Sequence, residues 1–468
     1  MIYDRKVLFS VGIILYFFVV LFLSFNNHFV QDEVYAINAV RLGWHELLKY
    51  IGSSDVHPAG SYLIIKALWQ ITDSFYITRL ILALIGGFFW FLSLSIVVKN
   101  EKKISNLLLF FAMPLNPAVL MWCVSLRWYS IWIPAIILLL TYIFFLDKES
   151  ILDFKVIIPF AVLTYLSYLT FFVFGAVLVS IFVFKNKRTP RKTINLFLYL
   201  FLVLPAAMEF FEKAARFSQD QAGSLLKSFL ITGYTVFAGS TFFPVSPLPI
   251  VFLCVVVFCI LFSDWRAYLK NNKEFATFIV LFSLFLVFSG TGAKFKSSIM
   301  IHVFFLIFLA GILKNVKFQW IKILFNVVFV IYLLSGIVNV VLIKETAKIT
   351  YNLPVNEVVQ HYENIWKQDH KTVCTDNLSF EYHLNEKGIA LSNCRKDLIN
   401  EDWDVVFVET YECFQRGDCI SASFLGKDEY VCKSENFKRD RFNKIKSMLH
   451  GSELPEYYVN VTQCDKKE

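Results

Sequence analysis

The chain alternates long apolar runs with short clusters of charge. Runs such as Val7–Ser24, Ile77–Val98 and Ile323–Ile343 hold almost no charged residues. A helix rises 1.5 Å per residue and needs about 20 residues to cross the hydrocarbon core, so these runs predict membrane spans. The pattern places spans near 7–24, 76–98, 105–122, 130–146, 156–169, 170–184, 194–209, 248–263, 276–290, 298–313 and 322–343, about eleven in all. Residues 60–72 are apolar but short and contain Lys66. A crossing there would invert everything that follows, so this segment predicts a juxtamembrane helix or a partial span. The pair 156–169 and 170–184 has almost no connecting loop and predicts a broken or re-entrant helix. No cleavable leader is expected, because the first run is long enough to stay as an anchor and lacks a small-residue cleavage site.

Beyond residue 344 the pattern changes. Lys371–Cys374 and Trp403–Glu409 read as strands, and 354–368 and 438–449 read as helices. That alternation predicts a small α/β domain over 345–468, after a polytopic α-helical membrane part over 1–344. Composition agrees with this division. Hydrophobic residues make up 57% of the chain and charged residues 18%, against about 25% charged in an ordinary soluble chain. A cytosolic enzyme and a nucleic-acid binder are thereby excluded, and the bilayer is itself a partner. The net charge of +8 hides two opposite balances. Residues 1–344 carry 29 basic and 15 acidic residues, and residues 345–468 carry 16 and 22.

Charge also orients the chain. Lys99, Lys102 and Lys103, then Lys185, Lys187, Arg188, Arg191 and Lys192, then Arg266, Lys270 and Lys273 fall in alternate short loops. Basic residues in short loops mark the cytoplasmic side, so the N-terminus is expected inside and the tail outside. A multi-pass protein of a bacterial inner membrane is the expectation. Cysteine use fits an exported tail. Cys123, Cys254 and Cys259 lie in or beside spans, whereas Cys374, Cys394, Cys413, Cys419, Cys432 and Cys464 all lie in the tail. An even set in an oxidising compartment predicts up to three disulfides of undetermined pairing. Zinc is the rival reading, without the paired C-x-x-C spacing it would need. The sequons at Asn377 and Asn460 would be surface sites in a glycosylating host.

Polar residues are expensive near a membrane, so those outside the cytoplasmic loops are candidates for chemistry. The first outer loop, 25–75, carries Gln31-Asp32-Glu33 ahead of a helical stretch, then Asp55-Val56-His57-Pro58 at the opening of segment 60–72. Asp32 and Glu33 are neighbours, so on a helix they point about 100° apart and one of them faces a given ligand. Asp32 is either a general base toward a hydroxyl or the cap of a helix starting at Glu33. The next outer turn, Ser125-Leu126-Arg127-Trp128-Tyr129, sets Arg127 among Trp122, Trp128 and Trp132. It is either a snorkelling arginine in an aromatic belt or a planar cation for a lipid phosphate. The loop 290–298 carries Lys294 and Lys296, which read as phosphate ligands or as solvated lysines. His302 reads as a packed residue. The outer loop 210–247 holds Glu212, Lys213, Arg216 and Asp220, then an aromatic Gly/Pro-rich stretch suited to folding over a lipid-facing cavity. No His/Asp cluster has metal-ligand spacing, and a divalent cation stays open as a cofactor.

Three stretches taken together resemble a known family. QDEVYAINAVRLG, then DVHPAGSYLIIKALWQ, then ITRLILALIGG resemble the opening of GT-C membrane glycosyltransferases, in the branch of protein O-mannosyltransferases and aminoarabinose transferases. SLRWYS looks like that family's Arg-x-Tyr element. The resemblance covers residues 1–145 well and the rest as architecture. It implies a polyprenyl-phosphate sugar donor and transfer to a glycan, lipid or protein acceptor on the outer face, with inversion. It further implies that Asp32 is the base, supported by Glu33, that Asp55 and His57 shape the pocket, and that Arg127 and Tyr129 hold the donor phosphate. Lys294 and Lys296 stand where relatives carry an Arg-Tyr pair, and His57-Pro58-Ala59 departs from the family's double proline. The competing expectations are a flippase or carrier for lipid-linked sugars, which would show an inverted repeat, and a non-catalytic membrane subunit.

Overall fold

The structure, a computed structural model, describes residues 5–54, 57–100, 109, 112–147, 150–184, 190–217, 225–239, 247–289, 295–343, 353–368, 372–375, 377–389, 391, 405–410, 421, 430–437 and 459–466. The chain forms two compact units. A membrane unit comprises residues 1–25 and 36–343, and a tail unit comprises residues 26–35 and 344–468.

Among the described residues of the membrane unit, five helices are long and apolar enough to cross a bilayer: Phe9–Asn26, Phe75–Lys99, Tyr129–Leu146, Thr193–Lys213 and Gln319–Val341. Trp265–Asn271 and Lys273–Phe288, bent by 95° at their junction, would make a sixth if they act as one span. The eleven spans expected from hydropathy are therefore not reached. Phe154–Thr164, Leu169–Phe182, Ser228–Phe237, Pro247–Leu261 and Ser298–Ile312 are apolar but only 10–17 residues long. At 1.5 Å per residue they fall short of the roughly 30 Å core. The expected span 105–122 is broken, since Asn116 caps a helix of only seven residues, Pro117–Cys123. The expected loop 210–247 is partly helical as well. The helix Pro190–Phe217 runs into it, and Leu225–Ala238 forms another. The juxtamembrane segment 60–72 is the helix Gly60–Thr72, and the expected break falls between Phe154–Thr164 and Leu169–Phe182.

The helices differ in how far they bury themselves. Tyr129–Leu146 is the most enclosed of the five long helices, while Thr193–Lys213 leaves Phe197, Phe201 and Phe211 on the surface, as a lipid-facing helix does. Close packing at the centre depends on Gly86, where an added Cβ would collide with the Ser130 carbonyl oxygen.

The tail unit is built on a four-stranded sheet: β1 (Thr372–Thr375), β2 (Val405–Thr410), β3 (Tyr430–Phe437) and β4 (Val459–Lys466), in the order β1-β2-β4-β3. β1 and β2 are parallel, with Thr372 opposite Val405, and β4 is antiparallel to both neighbours. Parallel neighbours need a crossover, to which the helix Leu378–Glu386 after β1 contributes. Side chains alternate faces along β2. Val406 and Val408 join Val358, Tyr362, Trp366, Phe380 and Leu384 in one core, and Val405 and Phe407 pack with Cys374 and Cys464 in another.

Cys432 and Cys464 lie opposite each other on β3 and β4, their Cα atoms 4.0 Å apart, and form a disulfide. Cys374 is disulfide-bonded too, whereas Cys123, Cys254 and Cys259 are free thiols. Neither sequon asparagine is a surface site. Asn377 is buried and caps the helix Leu378–Glu386, and Asn460 is buried within β4, where its amide bonds Thr462. The expected helix 438–449 lies outside the described residues. Lys367 and Lys387, at 2.9 and 3.0 Å, hold the Glu363 carboxyl below the usual carboxylate range. Burial, with a hydrogen bond donated to the Glu435 carboxylate, pushes the Tyr362 phenol well above its usual range.

Candidate functional site

The acidic pair sits at the start of the helix Gln31–Arg41. The backbone N–H of Val30 donates to the Glu33 carboxylate at 3.0 Å, and Glu33 N–H donates to the Val30 carbonyl at 2.7 Å. This is half of a capping box, with Glu33 at the third helical position reaching back to satisfy an orphan donor. Asp32 is consequently not the cap of a helix starting at Glu33: it lies inside the first turn. The two acids differ in setting. Glu33 is 2% exposed and engaged with backbone, while Asp32 is only half-buried.

At the far end of that helix stands a buried cation. Lys66 donates to the carbonyls of Val40, at 2.9 Å, and Leu42, and its ammonium lies 5.2 Å from the Trp44 ring centre. A cation on the last carbonyls complements the helix dipole, which explains why a lysine is retained in an apolar segment.

A second group of polar residues lies in the membrane unit. Arg127, 7% exposed, follows the short helix Pro117–Cys123, and its guanidinium donates to the Tyr62 hydroxyl at 3.0 Å while lying 5.8 Å from that ring's centre. Trp128 packs edge-on against Trp132 at 5.1 Å and lies 5.8 Å from the His57 ring. Trp132 is fixed in turn by donating to the Thr170 hydroxyl at 2.7 Å, beside the break between Phe154–Thr164 and Leu169–Phe182. The same break receives the start of helix Gly60–Thr72, with Gly60 N–H donating to the Tyr165 carbonyl at 3.0 Å. Any Cβ at Gly60 would collide with that oxygen, so the approach requires glycine. Lys213 is buried, pairs with Glu209 at 2.8 Å and donates to the His57 carbonyl at 2.9 Å. Arg127 is thus a buried cation against an aromatic ring, where a low dielectric strengthens its action on an anion, while Lys213 is already paired with Glu209.

Of the residues singled out from sequence, Arg127 and His57 come together around Trp128. Tyr129 is fully buried instead, wedged edge-on against Trp122 at 5.4 Å and Trp128 at 5.3 Å, and the hydroxyl beside Arg127 is that of Tyr62. Asp55 and Lys294 lie outside the described residues, and Lys296 is placed only as part of the helix Phe295–Ile312. His302 is packed, its Nδ1 3.1 Å from the Val236 carbonyl oxygen. Tyr62 is an addition that sequence reading did not single out, and Lys213 was named only within the loop 210–247, with no role. The signal for Lys213 was available as a cation at the end of an apolar run, four residues after Glu209. Among the described residues no three His, Cys, Asp or Glu gather as metal ligands. An apolar cavity of about 640 Å³ opens between Leu225–Ala238 and Lys273–Phe288, lined by Phe229, Val236, Val280, Leu284 and Phe288, with Thr232 and Ser283 as its hydroxyls.

No family model matches the chain, and no curated protein matches it. Solved structures do. The apo crystal structure of ArnT from Cupriavidus metallidurans is similar over 98% of each chain, with a TM-score of 0.55 at 11% identity. The fold is that of ArnT. The same enzyme bound to undecaprenyl phosphate is similar over 98% of this chain and 97% of that one, with a TM-score of 0.53 at 10% identity. ArnT is an aminoarabinose transferase of the GT-C superfamily, and the chain shares its fold, a membrane-helical unit with a small tail domain. It is a multi-pass membrane protein.

Proposed function

We propose that the chain is a GT-C-type glycosyltransferase that moves a sugar from a polyprenyl-phosphate donor to an acceptor hydroxyl. The observation that carries this reading is the likeness to ArnT along nearly the whole of both chains, in one case with undecaprenyl phosphate bound to that enzyme. Arg127 supplies the chemistry such a donor needs: a buried, permanently charged fork set among aromatic rings. The acceptor hydroxyl gives its proton to the Asp32 carboxylate as its oxygen attacks the anomeric carbon. The bond from that carbon to the phosphate oxygen breaks, and the electron pair leaves on the lipid phosphate. Attack opposite the leaving group inverts the centre. Arg127 holds the donor phosphate both before and during its departure, an interaction shared by ground and transition states and so expressed mainly in donor binding. Glu33 keeps the first turn formed around Asp32. Asp55, His57 and Tyr129 shape the pocket, and Lys294 and Lys296 supply further positive charge for the donor.

The acceptor is a glycan, lipid or protein hydroxyl at the outer face of a bacterial inner membrane, with the N-terminus in the cytoplasm and the tail outside. Asp32→Asn tests the reading. Sugar transfer should fall by about 10²–10⁴, to near nothing in an endpoint assay, while expression and folding stay intact, and unchanged transfer would remove the mechanism.

A further inference from the structure

Four residues, Asn27–Val30, join the helix Arg5–Asn26 to the helix that carries Asp32. His28, Phe29 and Val30 are all buried. Buried backbone must find partners. Val30 finds them locally: its N–H donates to Glu33, and its carbonyl accepts from Glu33 and Val34. Phe29 N–H has a distant acceptor, Nε2 of His383, at 3.1 Å and 354 residues along the chain.

His383 is well anchored for this task. It sits in the last turn of the helix Leu378–Glu386, which Asn377 caps by accepting from Ser379 N–H at 2.9 Å. Phe380 and Leu384 of that helix enter the tail core. The imidazole lies nearly parallel to the Phe29 ring at 6.2 Å, Tyr382 meets Phe29 edge-on at 5.2 Å, and His28 lies edge-on to His383 at 6.3 Å. Asn356 adds a hydrogen bond to the Asn26 carbonyl at 3.3 Å. Because Nε2 accepts, the single proton of the neutral ring is on Nδ1.

We infer that His383 is a positioning residue: through Phe29 N–H it fixes the turn that sets Asp32 at the head of its helix. The tail domain is then the mould in which the acidic segment is formed. This inference rests on the role proposed for Asp32 and adds a residue to it from the other end of the chain. An acceptor lost at His383 leaves the turn free to shift, and misplacement by about 1 Å can cost on the order of 100-fold in rate.

The test uses the full chain in nanodiscs. His383→Phe keeps a flat ring without an acceptor, His383→Asn keeps polarity but reaches less far, and His383→Gln offers a side-chain oxygen near the place of Nε2. The Phe and Asn variants should lose on the order of 100-fold in kcat with the donor KM nearly unchanged, and the Gln variant should recover most of it. Hydrogen exchange of the amides of residues 26–35 should accelerate in the Phe and Asn variants, recover in Gln, and leave β2 and β4 protected in all three. Normal kcat and normal exchange in His383→Phe would overturn the inference. So would equal damage in all three variants with loss of protection across β2 and β4, because that marks a general structural role. An active Asp32→Asn enzyme would remove the proposed base, while the exchange measurement still decides whether His383 holds the turn.

Discussion

Arg127 and Asp32 are held in different ways. Arg127 is fixed through Tyr62, 65 residues earlier, whose hydroxyl accepts from its guanidinium and whose ring centre lies 5.8 Å away. Asp32 is fixed by backbone hydrogen bonds and by a histidine from the far end of the chain. A buried cation can be caged by whatever rings lie nearby, since stacking and cation–π contacts tolerate many geometries. A carboxylate meant to take a proton must be aimed, and aiming it requires a rigid turn. Loss of the cation should therefore weaken binding, and loss of the anion should stop chemistry.

The sharpest way to break that contrast is within the acidic pair. Asp32→Asn should lower kcat by about 10²–10⁴, the usual contribution of a general base. Glu33→Ala should instead cost about 1 kcal/mol of stability, since it removes the acceptor of Val30 N–H. Sugar-transfer rates and thermal unfolding of both variants separate the two roles, and the reverse pattern would refute the assignment. Next in size is the disulfide across β3 and β4. Replacing Cys432 and Cys464 by serine should destabilise the tail unit by about 2–4 kcal/mol, read as faster exchange in β4. If the tail is the mould for the acidic turn, residues 26–35 should loosen in step with it.

On the cation side, Arg127→Lys should raise the donor KM about tenfold with a smaller change in kcat, because lysine keeps the charge but loses the planar fork. A titration with the lipid-linked donor measures this. The smallest effect concerns pH. Lys367 and Lys387 depress the Glu363 pKa in the folded tail below its unfolded value of about 4.3. The stability from this group is present above that value and is lost as pH falls through the folded value. Unfolding of the tail should therefore become easier below about pH 4, and Glu363→Gln should remove that increment.

Much of the membrane unit was legible in the sequence because hydrophobic runs and helix rise obey simple length rules. The helix Gly60–Thr72 and the break before Leu169 were visible for that reason. The same rules counted as spans several apolar helices that, among the described residues, are shorter than a full crossing, and they missed Leu225–Ala238, whose Gly233 and polar Thr232 and Thr235 interrupt the apolar pattern. In the tail, β2 was visible from its apolar run Val405–Val408. β4 was not, because a central strand that buries Asn460 and Thr462 presents a polar sequence. Arg127, Asp32 and Glu33 were found as polar residues out of place. The bond between Val30 N–H and Glu33 required the actual helix start, and the bond between Phe29 N–H and His383 spans 354 residues. No local pattern encodes either.

The central claim is sugar transfer from a polyprenyl-phosphate donor, and reconstitution tests it most directly. Purified chain in sealed liposomes is mixed with polyprenyl-phosphate sugars and candidate acceptors, free polyprenyl phosphate is followed by mass spectrometry, and the sidedness of intact lipid-linked sugar is followed alongside. The account predicts release of polyprenyl phosphate together with a glycosylated acceptor by the natural chain, and neither product with Asp32→Asn. Movement of intact lipid-linked sugar across the bilayer with no cleavage, at the same rate in both proteins, would contradict it.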